Sequence, residues 1–468
     1  MNTDTLTRLK EIAGRRGYSE DASVIAPHLE EWRSKYKGTS PLMLQPDSTQ
    51  QVSKILAICH ETTTALVPQG GNTGLVGGQI PFNGEILLSL ERLHQIRSID
   101  VENQSMSVEA GVVLETAQRA AREKGLLFPL SLAAEGSATI GGNLSTNAGG
   151  VNVLRYGMMR DLVLGLEVVL ADGRILNLMT ALRKNNTGYD LKQIFIGAEG
   201  TLGIITAAIL KLFPEPKTRA TVFVAISSPA AAVRLLAKMR SDSGGQISAF
   251  ELIPRIGLEL VVRHIAGARD PLSKPSPWYV LVEASSATQF DLEAAIERSL
   301  ASAGEKGLVS DAVLAKSESQ RTALWSLREN LSEAQKREGP SIKHDVSVPV
   351  SAIPEFLERA TAAVLAGVPN ARAVSFGHIG DGNIHFNFSA PIGVDGAVFL
   401  ARWEEIQRIV HDIVHEFGGS ISAEHGIGVQ KRDQLVLYKS AVEMDLMRAL
   451  KRTLDPKNIL NPGKVVEI

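Results

Sequence analysis

Three glycine-rich segments, at residues 68–78, 136–150 and 196–205, constrain what this chain can fold into more than any other feature. Glycine tolerates positive φ angles and allows main-chain N–H groups to converge on an anion. The Asn, Thr and Ser residues among these glycines supply further hydrogen-bond donors. One such segment alone is equally well explained as a tight turn. Three of them within the first 205 residues predict a site for a phosphate-bearing nucleotide.

The sequence also limits the kind of nucleotide site and of partner. It contains neither G-x-G-x-x-G nor G-x-x-x-x-G-K-[ST], which argues against an NAD-type Rossmann site and a P-loop NTPase. Lys and Arg total 49 and Asp and Glu total 51, so bulk charge is not expected to bind nucleic acid or membrane surfaces. The single cysteine excludes an intrachain disulfide, and no apolar run is long enough for a membrane span. We expect a cytoplasmic protein.

The glycine clusters stop near residues 213–216, which predicts a domain boundary there. We expect a first domain at 1–215, an α+β domain at 216–420 and a C-terminal segment at 421–468. In the first domain, Ser48 is predicted to cap a helix whose buried face includes Cys59, and a second helix is predicted over 114–124. Strands are predicted at 65–68, 85–90, 106–113, 163–170 and 203–212.

A second cluster of reactive side chains surrounds His378 and His385. The dipeptide Asp381-Gly382 is typical of a two-residue hairpin turn. In such a hairpin the two histidines would lie opposite each other, with Cβ atoms about 4.5–5.5 Å apart, and could share a divalent cation. Asn387 would point to the same face. The alternative is that both histidines are hydrogen-bonded strand residues.

Downstream, Glu424 would supply a third ligand, since two His and one carboxylate suit Zn²⁺ or Mn²⁺ acting as a Lewis acid. His425 would then serve as a base beside the metal. His411 and His415 also have metal-ligand spacing, but the apolar stripe of their helix places both toward solvent, and we assign them no role.

Arg328 and Ser332 are four residues apart on a predicted helix and would share a face. An arginine is suited to a bidentate grip on a carboxylate. Lys343 opens a strand that follows. Solvated surface charges are the alternative for Arg328 and Lys343.

The three glycine segments, in this order, resemble the FAD-binding half of the vanillyl-alcohol-oxidase-type (PCMH-type) flavoproteins. The resemblance implies an α+β fold, with a two-subdomain α/β FAD-binding unit and a larger α+β substrate (cap) domain. It also implies that the C-terminal segment returns to the flavin. Some members link FAD covalently through a histidine at the position of Asn72, so noncovalent FAD is expected here. The expected FAD-binding residues are Gly70, Gly71, Asn72, Thr73, Gly74, Gly77, Gly78, Ser137, Gly141, Gly142, Asn143, Thr146, Asn147, Gly150, Glu199, Gly203, Ile204, Ile205 and Asn461.

Five segments, at residues 68–78, 183–193, 196–205, 377–387 and 422–426, resemble the members of this family that oxidise D-2-hydroxyglutarate to 2-oxoglutarate. The resemblance implies that His378, His385 and Glu424 hold a divalent metal, Zn²⁺ first and Mn²⁺ second, and that His425 is the base. The metal would bind the substrate oxygens, and the C2 hydrogen would leave as hydride to flavin N5. The expected substrate-binding residues are Arg328, Ser332, Lys343 and Asn387.

Because no NAD fingerprint is present, we expect a protein or quinone-linked electron acceptor, and the family resemblance implies an electron-transfer flavoprotein first. Two alternatives stay open. One is a D-lactate or glycolate dehydrogenase of the same family. The other is a non-redox transferase of the alkyl-glycerone-phosphate-synthase kind, in which FAD carries a covalent adduct. A homodimer is compatible with the sequence.

Overall fold

The computed structural model describes residues 3–468, which form helices α1–α17 and strands β1–β19. The helices are α1 (Thr3–Ala13), α2 (Ala22–Ile25), α3 (Thr49–Thr62), α4 (Leu114–Arg122), α5 (Ile140–Ser145), α6 (Val153–Tyr156), α7 (Lys192–Phe195), α8 (Pro229–Asp242), α9 (Arg255–His264), α10 (Leu292–Glu305), α11 (Glu318–Glu329), α12 (Leu331–Glu338), α13 (Ile353–Gly367), α14 (Gly396–Leu400), α15 (Trp403–Glu416), α16 (Arg432–Tyr438) and α17 (Ala441–Leu454). The strands are β1 (Tyr18–Ser19), β2 (Met43–Leu44), β3 (Leu66–Gln69), β4 (Ile86–Ser89), β5 (Ile96–Asp100), β6 (Ser105–Glu109), β7 (Leu126–Leu127), β8 (Val163–Val169), β9 (Ile175–Leu178), β10 (Ile204–Lys211), β11 (Phe213–Pro214), β12 (Thr218–Ile226), β13 (Ile247–Pro254), β14 (Trp278–Ser286), β15 (Asp311–Leu314), β16 (Ser341–Ile342), β17 (Asp345–Ser347), β18 (Arg372–Phe376) and β19 (Asn383–Ser389).

The chain divides into two compact units. The first unit contains residues 1–150, 157–215 and 424–468, and the second contains residues 151–156 and 216–423. Among residues 3–468, no helix combines the length and the apolar character that a membrane span requires.

The first unit contains two main sheets. One has the order β1-β2-β4-β3, with β2, β4 and β3 parallel, and the other is the antiparallel sheet β5-β6-β10-β8-β9. The C-terminal segment joins the first sheet, because Leu66 donates to the oxygen of Ile459 and Asn461 donates to the oxygen of Leu66, both at 2.9 Å. The segment is therefore bonded directly beside the strand that leads into the first glycine segment.

Helix α3 begins where the sequence predicts it. The Ser48 side chain accepts a hydrogen bond from the Gln51 N–H, and Gln51 Oε1 accepts one from the N–H of Asp47 at 3.0 Å. Cys59 is fully buried on the inner face of this helix, and burial raises the pKa of its thiol to about 12. The predicted role of Cys59 as a small core residue is confirmed.

The second unit contains two antiparallel sheets, with the orders β13-β14-β12-β15 and β16-β19-β17. In the second of these, β16 and β17 pair with one edge of β19, and β18 pairs with its other edge. The two sheets meet where Leu252 of β13 and Gly377 bond to each other through both main-chain groups, at 2.8 and 3.1 Å. This junction brings β13 beside the segment that carries His378.

The predicted two-residue turn at Asp381-Gly382 is wrong. The observed register pairs Phe376, not His378, with His385, so residues 377–382 form a longer loop. The cause lies at Gly377, which has a φ of +150° and pairs with Leu252 of β13 instead of with a residue of β19. A side chain there would clash, since an added Cβ would lie 2.7 Å from the oxygen of Asn383.

The single predicted helix through residues 328–332 is also wrong. Helix α11 ends at Glu329, α12 begins at Leu331, and Asn330 lies between them. The Asn330 side chain bonds back to Ser326, accounting for one carbonyl at the end of α11. Arg328 and Ser332 consequently do not share one helix face: Arg328 is buried and Ser332 is exposed.

Candidate active site

The three glycine-rich segments of the first unit converge on one cavity of about 300 Å³. Residues of all three segments line it, together with Glu424 and His425 from the C-terminal part of the same unit. Both C-terminal side chains are partly exposed, as expected for groups at a cavity wall. The cavity therefore joins the predicted nucleotide loops to the predicted base.

Two glycines of the first segment allow the first two segments to pack against each other. A Cβ atom on Gly71 would lie 1.8 Å from the oxygen of Ser137, and one on Gly70 would lie 2.2 Å from Thr139 Oγ1. Any other residue at these positions would push the segments apart. The close approach of the two backbones is what an extended ligand held by main-chain amides requires.

The cavity also offers a buried acceptor. Asn143 lines it and is 3% exposed, and its Oδ1 atom has no hydrogen-bond partner within residues 3–468. A buried polar atom without a partner is costly unless a ligand or water satisfies it. The donor set and this acceptor fit a ligand such as FAD, which carries both phosphate oxygens and an N–H donor.

Asn72, where the resemblance predicts the linking histidine of some other flavoproteins, makes hydrogen bonds within the protein. Its Nδ2 atom donates to the oxygens of Pro27 and Glu30, at 3.2 and 2.9 Å, and its Oδ1 accepts from Gln79 at 3.2 Å. An amide is not a nucleophile toward flavin.

We expect acid denaturation to release all of the flavin into the supernatant, measured by its absorbance. Flavin that stays on the precipitated protein would contradict noncovalent binding.

Glu199, from the third segment, holds the turn that follows His425. Its carboxylate accepts hydrogen bonds from the N–H groups of Ile427 and Gly428, at 2.7 and 2.9 Å. Burial raises the pKa of this carboxyl to about 7, although the two N–H groups act in the opposite direction. Asn461 donates to the main-chain oxygens of Glu199 and Gly78, at 2.8 and 2.9 Å. Contacts of Glu199 and Asn461 with the cofactor stay predictions, but both residues bind the cavity segments to one another.

In the second unit, one face of the sheet around β19 carries three of the seven predicted substrate and metal residues. His385 lies opposite Asp345 on one side and Phe376 on the other. β16 and β17 keep the same register along β19, which places Lys343 opposite Asn387. Directly paired residues share a face of a sheet. His385, Asn387, Lys343 and Asp345 therefore lie on one face.

His378 reaches this group through the longer loop. Its ring centroid lies 5.8 Å from that of His385. Its Nδ1 atom is 2.7 Å from Oε1 of Glu251, a fully buried residue of β13. Since a carboxylate accepts only, Nδ1 donates to it, and in the neutral ring that metal binding requires Nε2 would keep its electron pair for the metal. The histidine pair thus fits a divalent cation, although its geometry is not the predicted one.

The same carboxylate binds Arg328. Nε of Arg328 donates to Oε2 of Glu251 at 2.6 Å, and the guanidinium carbon lies 4.9 Å from the ring centroid of Phe376. Burial alone would raise the pKa of Glu251, but the charges and hydrogen bonds of His378 and Arg328 outweigh it and lower the pKa to about 2. Removing one partner of such a buried pair typically costs about 3–5 kcal/mol.

Other side chains were placed differently from the prediction or were not predicted. The amide of Asn387 is occupied within the protein, since Nδ2 donates to Gln335 at 3.0 Å and Oδ1 accepts from the N–H of His344 at 3.2 Å. Glu251 was not predicted as a site residue, although it is a lone acid within an apolar strand. The solvent-facing placement of His411 is wrong, because it is 1% exposed and its ring centroid lies 5.9 Å from that of His344.

Comparison with known proteins fits this architecture. Residues 41–179 match the family described as "FAD binding domain", and residues 215–465 match "FAD linked oxidases, C-terminal domain". A probable mitochondrial D-2-hydroxyglutarate dehydrogenase of Oryza sativa subsp. indica is 40% identical over 468 residues, covering 100% of this chain and 82% of that protein. The chain belongs to the D-2-hydroxyglutarate dehydrogenase family. It is an FAD-dependent oxidoreductase.

The family extends to a D-2-hydroxyglutarate–pyruvate transhydrogenase of Saccharomyces cerevisiae, which is 36% identical over 456 residues, 96% of this chain and 91% of that protein. The solved structure of p-cresol methylhydroxylase with substrate bound matches 99% of this chain and 96% of its own, at a TM-score of 0.77 and 17% identity. At so low an identity, this likeness supports a conclusion about the fold and none about the function. The predicted PCMH-type α+β fold is confirmed.

Proposed function

We propose that this member of the D-2-hydroxyglutarate dehydrogenase family oxidises D-2-hydroxyglutarate to 2-oxoglutarate, with His425 as the base. The observation that carries the proposal is the position of His425 in the wall of the cavity that the three glycine segments form. The reaction needs a proton acceptor for the substrate hydroxyl close to the flavin. The names of the relatives, matched along the whole chain, support the substrate.

A divalent metal, Zn²⁺ first and Mn²⁺ second, is proposed for His378, His385 and Glu424. The support is chain connectivity. The N–H of Ala423 donates to the oxygen of Asp345 at 3.3 Å, and Asp345 pairs with His385. Glu424 is the next residue, so its Cα lies about 3.8 Å from that of Ala423. This connectivity supports Glu424 as the proposed third ligand.

Arg328 and Lys343 are proposed to bind the carboxylates of the substrate. Glu251 occupies the Nε edge of Arg328, and within residues 3–468 the terminal nitrogens of this guanidinium make no hydrogen bond to the protein. Lys343 lies on the sheet face that carries His385. Substrate contacts of Ser332 and Asn387 stay predictions, and the amide of Asn387 is bonded to Gln335 within the protein.

In the proposed reaction, the chain binds and orients the hydroxyacid, and His425 takes the hydroxyl proton at an imidazole nitrogen. When bound, FAD accepts the hydride equivalent that leaves C2. A bound divalent cation would stabilise negative charge on the substrate oxygen. Glu199 keeps the segment after His425 in place through its two main-chain hydrogen bonds.

An electron-transfer flavoprotein or a quinone-linked acceptor is proposed to reoxidise the flavin. The name of the yeast relative adds a second candidate, in which a 2-oxoacid such as pyruvate accepts the electrons. Noncovalent FAD and a cytoplasmic location are part of the same proposal, and a homodimer stays a prediction.

The substrate assignment is tested by an anaerobic screen of 2-hydroxyacids read at the flavin absorbance. We expect D-2-hydroxyglutarate to bleach the flavin at the lowest concentration, with D-lactate and glycolate needing far more. Faster bleaching by D-lactate would instead favour a monocarboxylate dehydrogenase. A flavin that no hydroxyacid reduces would favour the non-redox transferase.

Lys343→Met tests the grip on the distal carboxylate. Loss of a charge-assisted bond to a substrate that stays bound and desolvated costs about 2–5 kcal/mol, so kcat/KM for D-2-hydroxyglutarate should fall roughly 30-fold or more. D-lactate, which has no distal carboxylate, should be affected far less. Steady-state kinetics on both substrates makes the measurement, and equal losses would place Lys343 at the shared C1 carboxylate.

A further inference from the structure

A single buried carboxylate connects two parts of the proposed site. Glu251 lies in the middle of β13, all eight residues of which are buried, and its own exposure is 0%. One carboxylate oxygen accepts from Nε of Arg328 at 2.6 Å, and the other is 2.7 Å from Nδ1 of His378. A charge placed this deeply persists only where partners compensate it on each side.

The contact between Glu251 and His378 follows from the backbone pairing of the segments that carry them. Leu252 pairs with Gly377 in antiparallel fashion, so the next pair in the same register is Glu251 with His378. Gly377 permits the pairing through its φ of +150°. From the other side, the ring of Phe376 lies 4.9 Å below the guanidinium carbon of Arg328 and fixes its plane.

We propose that Glu251 is a positioning residue that orients His378 and Arg328 together. The inference rests on the proposed function, in which His378 binds a metal and Arg328 binds a substrate carboxylate. Glu251 holds the proton of His378 on Nδ1, so that Nε2 is the metal-binding atom. It also occupies the Nε edge of the guanidinium, so that the two terminal nitrogens are the ones presented to substrate.

Because one carboxylate serves both residues, its loss should affect metal affinity and substrate affinity together. Removing the hydrogen-bond partner of a metal-binding histidine typically weakens metal affinity by about 10–100-fold. At saturating metal, loss of the orientation of Arg328 should raise KM for D-2-hydroxyglutarate about 10-fold with little change in kcat. The reason is that Arg328 binds the substrate carboxylate equally in the ground state and the transition state.

The test is Glu251→Gln, with Glu283→Gln as the matched control. Glu283 lies on the adjacent strand β14, opposite Ala249 of β13, and binds the same helix as Arg328 by accepting from Trp325 at 2.7 Å and Arg321 at 3.3 Å. Zn²⁺ affinity is measured by competition with a chromophoric chelator, without substrate, and KM and kcat are measured at saturating Zn²⁺. FAD content and thermal unfolding report on the fold.

Weaker Zn²⁺ binding and a raised KM in Glu251→Gln, with both unchanged in Glu283→Gln, would support the proposal. Wild-type values of either quantity in Glu251→Gln, or equal losses in the control, would overturn it. If Glu251→Gln fails to bind FAD, Glu251→Asp takes its place, since it keeps the charge but is too short to bridge both partners. If the wild-type enzyme binds no Zn²⁺ yet oxidises D-2-hydroxyglutarate, that result would instead contradict the part of the proposed function that assigns a metal to the site.

Discussion

His425→Gln should reduce the rate of flavin reduction by D-2-hydroxyglutarate by about 10²–10⁴-fold, the usual contribution of a positioned general base. Glutamine keeps much of the volume and the hydrogen-bonding capacity of histidine but cannot accept the hydroxyl proton. The residue lies in the wall of the flavin cavity, and Glu199 anchors the turn that follows it. FAD should therefore stay bound while the chemical step slows.

Anaerobic stopped-flow absorbance measures this step directly, before any electron acceptor is involved. His415→Gln is the control, because His415 is an exposed histidine on α15 of the second unit with no proposed role. Its reduction rate should match that of the wild type. A His425→Gln enzyme whose flavin is reduced at the wild-type rate would show that another group takes the proton.

The local features of the first unit could be predicted from the sequence because neighbouring residues determine them. The cap at Ser48, the buried Cys59 and the strand leading into the first glycine segment all follow from short patterns, and the structure contains them. The glycine segments were identified by composition alone. Their convergence on one cavity also required the resemblance, since residues 68–78 and 196–205 are far apart in the chain.

The failed predictions at residues 377–382 and at His411 each depended on a partner distant in sequence, whereas the break between α11 and α12 is local to Asn330. A two-residue turn at Asp381-Gly382 is the locally preferred structure, but pairing of Gly377 with Leu252 overrides it. Glu251 acquires its function only when that pairing brings it to His378. His411 is buried because α15 packs against both α13 and β16, which covers a second stripe of the helix beside the apolar one.

Removal of the divalent metal should abolish oxidation of D-2-hydroxyglutarate while FAD remains bound. The proposed histidine ligands belong to the second unit, and the glycine segments that line the flavin cavity belong to the first. A Lewis acid on the reacting oxygen is worth several kcal/mol, so its loss should lower kcat/KM at least about 100-fold. His385→Ala should reproduce this loss, because it removes one of the two imidazoles that lie 5.8 Å apart between ring centroids.

Three measurements on the same samples test whether the oxidation requires the metal: metal content by mass spectrometry, flavin content by absorbance and the rate of substrate oxidation. His415→Ala is the control, since His415 is exposed on α15 of the second unit and has no proposed ligand role. Re-addition of Zn²⁺ should restore the chelated wild-type enzyme but not His385→Ala, because the variant lacks a ligand and not merely the ion. A verified metal-free enzyme with full activity would mean that His378 and His385 are hydrogen-bonded structural residues, the alternative that the sequence left open.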